Sequence, residues 1–500
     1  MCTPQTGRIR RLVRAYPVFG PPPIVKDRSM LPGPALRKGT SCITAIAVAA
    51  ALALAPMVPA FAQSESPGNG LKILRDTETE QLLRDYARPI LRVAGLAQQN
   101  IRVVIINDSA FNAFVADGHR IFVNYGAILQ SQTPNQLIGV LAHETGHLAG
   151  GHLARFRQQL ASAQTEMAVA MLLGAGAIAA GARNGADNGL VSAGAAAMAG
   201  PQEMIQRSLL GYRREQEEQA DLAAVKFLTE THQSAKGMYE TFKRFANESL
   251  FSGHDANPYL QSHPLPEQRV ESLEQRARSS PYWDKKDPPA LQLRHDMVRA
   301  KIAAFMEPLS EVYRRYPSSD QSLPARYAHA IATYLHGNLE DALAQIDGLI
   351  RIQPNNPYFH EVSGQALLEA GKPAKAIAPL RKAVELSHNA PLIDILLGRA
   401  LVATDNKAHL DDAVGILRTA VARDHDAPLG YTELAMAYGK KGNYAEADLA
   451  SAQAAYIRGD RKTARELATR AKSRFAVGSP GWVRADDIVT AKPMPGQKSN

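Results

Sequence analysis

Two histidines four residues apart, His143 and His147, enclose Glu144 in the segment His143-Glu144-Thr145-Gly146-His147. On an α-helix this spacing stacks both imidazoles on one face, where they can hold one divalent cation, with the glutamate beside them in reach of a water on that cation. The chemistry such a group performs is hydrolysis. A catalytic zinc takes three protein ligands and keeps one position open, so a third ligand must come from elsewhere in the chain. Leu153 occupies the position six residues after His147, and His152, one residue earlier, falls off the His147 face of a continuous helix, so a structural role is expected for it. The stretch Glu215-Gln216-Glu217-Glu218-Gln219-Ala220-Asp221 serves better. Glu217 and Asp221 share a helix face, so one carboxylate can ligate the metal while the other hydrogen-bonds a ligand histidine and fixes its tautomer. Glu215 and Glu218 read as solvated. A set of two histidines, one carboxylate and water suits zinc, and other divalent ions can also occupy it.

These side chains need rigid elements to carry them. Leu137, Ile138, Leu141 and Ala142 make the turns before His143 apolar. Residues 135–159 read as one long helix, with Thr133 as N-cap and Pro134 in the first turn. Gly146, without a side chain, permits close approach of a neighbouring backbone. Upstream, Ile73, Leu82, Leu83, Tyr86, Ile90 and Leu91 recur at helical spacing over residues 71–96, which predicts an amphipathic helix. The β-branched runs 101–106 and 121–125 flank the turn signal Asp117-Gly118 and predict a small sheet ahead of the metal-binding helix. Between Met167 and Gly200 the chain is rich in Ala and Gly around the polar stretch 183–189. Each half is too short to span a bilayer. A helical flap near the site is expected there, with a packed helix pair as the alternative.

The formal charge of +9 raises the question of a nucleic-acid partner, and the location of the charge answers it. Residues 1–62 hold eight Lys and Arg against the single acid Asp27; taking these from 57 and 48 leaves 49 basic and 47 acidic residues. The remainder is nearly neutral, and no nucleic-acid partner is expected. Arg37 and Lys38, the apolar run Ile43 to Val58 and Ala60-Phe61-Ala62 predict a secretory signal cut before Gln63, with Met30 as an alternative translation start. Both cysteines, Cys2 and Cys42, fall in that leader, so the mature chain is expected to contain no disulfide and no thiol nucleophile. Cys42 precedes the apolar run, which argues against a lipid anchor. An exported, cysteine-free chain belongs in a bacterial periplasm.

After Pro288-Pro289 the chain takes on a 34-residue rhythm, the period of tetratricopeptide hairpins. Gly337 and Gly371, Ala342 and Ala376, Pro357 and Pro391, and Ala413 and Ala447 are each 34 apart. The steps Ala376 to Ala413 and Pro391 to Pro428 are both 37, placing a three-residue insertion around 405–409. Gly459 with Ala464 continues the pattern into a closing hairpin. Residues 320–475 therefore resemble tetratricopeptide repeats, an α-solenoid.

Three motifs in order, His143-Glu144-Thr145-Gly146-His147, then Arg214 with Glu217-Glu218-Gln219-Ala220-Asp221, then Ser262-His263-Pro264-Leu265-Pro266-Glu267-Gln268-Arg269, resemble the M48 family of metallopeptidases. With the leader and the repeats, the whole mature chain is similar to periplasmic members of that family that act in β-barrel assembly. The resemblance implies a mainly α fold with a small β-sheet, gluzincin-like, followed by the solenoid. It implies one zinc ion per chain on His143, His147 and Glu217, Glu144 as catalytic base, and Asp221 as an auxiliary acid or a residue behind the ligands. It also implies that His263 gates the metal or acts in the transition state, and that Arg269 steadies developing negative charge. The stretch from Asn112 to Val123 resembles the family's substrate-side strand, suited to pairing with an extended peptide.

The expected organisation is a signal peptide over 1–62, a metallopeptidase domain over 63–288, a helical linker over 289–319, repeats over 320–475 and a flexible tail over 476–500. The expected function is a periplasmic zinc endopeptidase acting on misfolded or stalled outer-membrane proteins, with repeats that bind substrate or the assembly machinery, chaperone activity and peripheral membrane contact. The alternative is a mainly non-proteolytic holdase or scaffold with a self-inhibited zinc site.

Overall fold

The computed structural model describes residues 71–183, 188–252 and 258–491. The predicted leader, both cysteines, the start at Gln63 and the last nine residues of the tail lie outside the described residues.

The described residues open with β1 (Ile73–Leu74) and helix α1 (Thr77–Val93), then β2 (Arg102–Ile106), β3 (Ala113–Asp117) and β4 (Arg120–Asn124). Leu82, Leu83, Tyr86 and Ile90 form the buried stripe of α1, as their spacing predicts, but Ile73 falls in β1 and is half exposed. Asp76 stops the helix from starting earlier: its carboxylate accepts from the Thr79 N–H as an N-cap. The sheet order is β1-β2-β4-β3. β2 and β4 run parallel, while β3 pairs antiparallel with β4 across the Asp117-Gly118 turn and forms an outer edge.

Helix α2 (Tyr125–Gln130) leads into α3 (Pro134–Gly150), the metal-motif helix. Thr133 caps α3 by accepting from Gln136 N–H, and Pro134 takes the first turn, both as expected. The helix does not run to 159. Gly151 adopts the left-handed conformation at φ 62° and ends it, and α4 (His152–Arg183) starts in a new direction. α4 packs along α5 (Asn188–Glu230), so the Ala/Gly-rich stretch builds the adjoining ends of two long helices. Helices α6 (Lys236–Ser252), α7 (Pro258–Ser262) and α8 (Glu267–Arg278) complete this part. No helix among the described residues is long and apolar enough to cross a membrane.

The remaining helices are α9 (Pro289–Met306), α10 (Leu309–Arg315), α11 (Leu323–His336), α12 (Leu339–Ile352), α13 (Pro357–Glu369), α14 (Pro373–Leu386), α15 (Pro391–Ala403), α16 (Lys407–Arg423), α17 (Pro428–Lys440), α18 (Tyr444–Ile457), α19 (Arg461–Arg474) and α20 (Pro480–Thr490). From α11 onward consecutive helices pack as hairpins. Pro357, Pro391 and Pro428 each open the first helix of a pair, where a missing N–H costs nothing. Ala342, Ala376 and Ala413 are fully buried on the second helices. The inserted residues lengthen a helix: α16 has 17 residues where α14 has 14.

The change of character at Pro288-Pro289 is not a break in the core. One apolar cluster runs from Leu74 through α3, α6 and α9 to Phe359 and Val362, and a second begins at Leu367. A buried ionic cluster fastens the same junction. Lys301 on α9, 2% exposed, lies 2.5 Å from Asp76, 3.3 Å from Glu361 and 3.6 Å from Glu78, and the Tyr327 hydroxyl donates to Glu78. Further on, Arg75 pairs with Asp424 and Arg102 with Asp426, bringing the α16–α17 connection against the segments just before α1 and at β2.

Candidate metal centre

Three segments distant in sequence meet at the buried faces of α3 and α5. Gly146 makes the meeting close: a Cβ added there would lie 2.8 Å from the Ala220 carbonyl oxygen on α5. His143 and His147 come from α3, Glu217 and Asp221 from α5, His263 from the turn after α7, and Arg269 from the first turn of α8. His143 Nε2 is 3.1 Å from His147 Nε2 and 3.4 Å from Glu217 Oε2, and His147 Nε2 is 3.5 Å from Glu217 Oε1. His263 Nδ1 stands 3.3 Å from His143 Nε2 and 3.0 Å from Glu217 Oε2. One donor atom from each of these four residues lies within 4.8 Å of the others.

The surrounding groups hold the donors in place. Asp221 Oδ1 is 2.9 Å from His143 Nδ1, which leaves Nε2 turned toward the cluster. Arg269 grips Asp221 with two nitrogens, Nε to Oδ2 at 2.6 Å and Nη2 to Oδ1 at 2.9 Å. Its Nη1 donates to the Pro264 carbonyl at 2.8 Å and lies 3.0 Å from Glu217. Phe242 covers the guanidinium from one side, 5.5 Å from the ring centre. The guanidinium thus contacts both carboxylates and the Pro264 turn, which places Arg269 behind Asp221 and Glu217. Asp221 likewise faces His143 and Arg269 and sits behind the donors.

Burial alone pushes carboxyls up and histidines down, and the charged partners decide the outcome. Burial raises Glu217, but His263 and Arg269 outweigh it and hold its carboxyl well below the usual range. Asp221 is lowered in the same way, chiefly by Arg269. Burial lowers His143, yet the hydrogen bonds that it donates to Asp221 and Glu217 overcome it and lift the imidazole to about 9. For His147 burial wins, and it drops to about 3. Glu144, fully buried, is raised by desolvation. Two buried carboxylates held ionised beside the histidines favour positive charge at this point.

The donor set fits a metal ion. Two imidazoles and a carboxylate converge, and neither Glu144 carboxylate oxygen has a hydrogen-bond partner among the described residues although both are buried. An unpaired buried carboxyl is costly, and a metal with its water would satisfy it. His263 Nε2 comes no nearer to Glu144 than 3.4 Å.

Two neighbours escaped the sequence analysis. His152 was expected to point away, but the break at Gly151 folds it back until its Nδ1 is 3.0 Å from His147 Nδ1. The Gly150-Gly151 pair, a helix-stop signal, is what could have disclosed this. Tyr259 packs against His263 at a 30° tilt, ring centres 4.7 Å apart, and no motif marks it.

The helical domain with its small sheet thus carries a His/His/Glu cluster beside the buried carboxyl of Glu144. Residues 75–277 match peptidase family M48. The chain is also similar over most of its length to curated bacterial proteins. It is 22% identical over 426 residues to the "Beta-barrel assembly-enhancing protease" of Yersinia pestis, covering 83% of each chain. It is 22% identical to the protein of that name from Escherichia coli (strain K12), again with 83% of each covered. The "Putative beta-barrel assembly-enhancing protease" of Vibrio cholerae is 24% identical, with 84% of each covered. The chain is a metal-dependent peptidase joined to a helical repeat array.

Proposed function

We propose that this protein is a zinc endopeptidase of the bacterial periplasm that cleaves misfolded or stalled outer-membrane proteins and uses its repeats to hold them or their assembly machinery. In this reading His143, His147 and Glu217 hold one zinc ion per chain. Bound zinc supplies Lewis-acid activation of a water molecule and of the scissile carbonyl. Glu144 would take a proton from the attacking water and pass it to the leaving amine. Asp221 fixes the tautomer of His143, and Arg269 fixes Asp221. The outer edge of β3 offers backbone groups to an extended peptide beside α3. The observation that carries the reading is the buried Glu144 carboxyl, without a hydrogen bond among the described residues and with only His263 beside it at 3.4 Å, next to the converged His/His/Glu donors. The names of the relatives, matched over four-fifths of their length, support the substrate class. Stacked hairpins, which form curved binding surfaces, support the holding role.

A second reading, a holdase whose metal site is closed at rest, is favoured by His263, since its Nδ1 stands close enough to the other donors to fill the open position. Incubating the zinc-loaded protein with an unfolded β-barrel protein separates the two. The endopeptidase reading expects cleavage by the wild type, loss of cleavage with retained zinc in Glu144→Gln, and faster cleavage by His263→Ala. Inert wild type together with inert His263→Ala, both carrying zinc, would leave only the holdase.

A further inference from the structure

His143 and His147 present Nε2 to the donor cluster, so each needs its Nδ1 proton placed on an acceptor for the imidazole to be held in the ligating tautomer. For His143 the acceptor is the Asp221 carboxylate. Among the described residues no carboxylate is recorded against Nδ1 of His147. The atom facing its Nδ1 is Nδ1 of His152 at 3.0 Å, with the two rings nearly perpendicular at 85° and 5.0 Å between centres. An Nδ1–H on His147 donates to that atom only if His152 carries its own proton on Nε2. The pair therefore fixes both tautomers.

The backbone is shaped for this contact. Gly151 in the left-handed conformation turns the chain back at the end of α3, and the His152 ring then lies across Gly150, where a Cβ would collide with the ring. His152 is 3% exposed, and its carbonyl accepts from Gln216 Nε2 at 3.1 Å. Gln216 immediately precedes Glu217, so one turn of α5 supplies a donor to the cluster and pins the group behind another.

We infer that His152 is a positioning residue that holds His147 in the ligating tautomer through a neutral Nδ1–H···Nδ1 hydrogen bond. The inference rests on His147 binding the metal. Asn at this position places an acceptor oxygen near where Nδ1 now stands; Leu fills the space without one.

The test is titration of the metal-free full chain with Co²⁺, read by the visible absorption of the bound ion, and with Zn²⁺ by competition against a chelator. Thermal unfolding of the metal-free forms monitors folding. His152→Leu is expected to weaken zinc binding about 10- to 100-fold and to alter the Co²⁺ spectrum. His152→Asn is expected to stay within about threefold of wild type with an unchanged spectrum. Tight binding by wild type and equally by His152→Leu overturns the inference alone, as does equal weakening in both variants, which marks a packing role. Failure of the wild type to bind either ion overturns the metal reading and the inference with it.

Discussion

Gly146→Ala probes whether the approach of α3 to α5 sets the metal geometry. A methyl at Gly146 would lie 2.8 Å from the Ala220 carbonyl oxygen and 3.0 Å from Ala220 Cα, both backbone atoms that no rotamer change can move. Ordinary contact begins at about 3.4 Å, so the helices must separate locally by roughly half an ångström. Ala220 sits directly between Glu217 and Asp221, while Gly146 sits between His143 and His147. The displacement therefore enters the His–Glu distances of 3.4 and 3.5 Å. Overpacking of this kind costs about 1–3 kcal/mol, and a shifted carboxylate is expected to weaken zinc binding at least about tenfold. A tenfold loss of affinity lowers the stabilisation by zinc by about 1.4 kcal/mol at fixed free zinc. The assay is calorimetric unfolding with and without zinc, together with a chelator-competition Kd. The variant should unfold at lower temperature in both forms, with a smaller zinc-induced rise. An unchanged Kd beside a lowered metal-free Tm would refute the geometric argument while leaving the packing one standing.

Other substitutions test separate parts of the structure. Arg269→Lys replaces a two-pronged grip on Asp221 with a point charge, and zinc affinity measured by competition should fall about 10- to 100-fold. Glu78, buried near Asp76, Glu361, Lys301 and Tyr327, is raised by burial from 4.5 to about 7. Its folded value exceeds its unfolded one, so its contribution to stability is fully present below about pH 4.5 and is lost as pH rises through about 7, with an upper limit of about 3 kcal/mol. The unfolding midpoint of the wild type should accordingly fall relative to Glu78→Gln between pH 5 and 8, and parallel curves would contradict the assignment. In the repeats a Cβ on Gly398 would meet Leu417 Cγ at 2.5 Å. Gly398→Ala should cost about 1–3 kcal/mol, partly restored by adding Leu417→Ala, as thermal unfolding of both variants would show.

Much of this architecture was legible because local signals agreed with the tertiary structure. Thr133-Pro134 started α3, the proline and alanine intervals set the hairpins, and Glu217 with Asp221 lay on one face because α5 is unbroken there. What escaped depended on contacts between distant segments. Arg269 could be placed by motif but not given its role, since only the fold shows both Asp221 and Glu217 in its grip. The position of His152 turned on one glycine in the left-handed conformation. The fusion of the two parts through Lys301 was hidden because its partners, Asp76, Glu78 and Glu361, lie hundreds of residues or several helices away.

The central claim is that a single metal ion sits between α3 and α5, held by both histidines and Glu217. Its most direct test is metal content per chain, by mass spectrometry of purified wild type, Glu144→Gln and Glu217→Ala. One zinc per chain in the first two and none in the third is predicted. Undiminished zinc in Glu217→Ala would contradict the account.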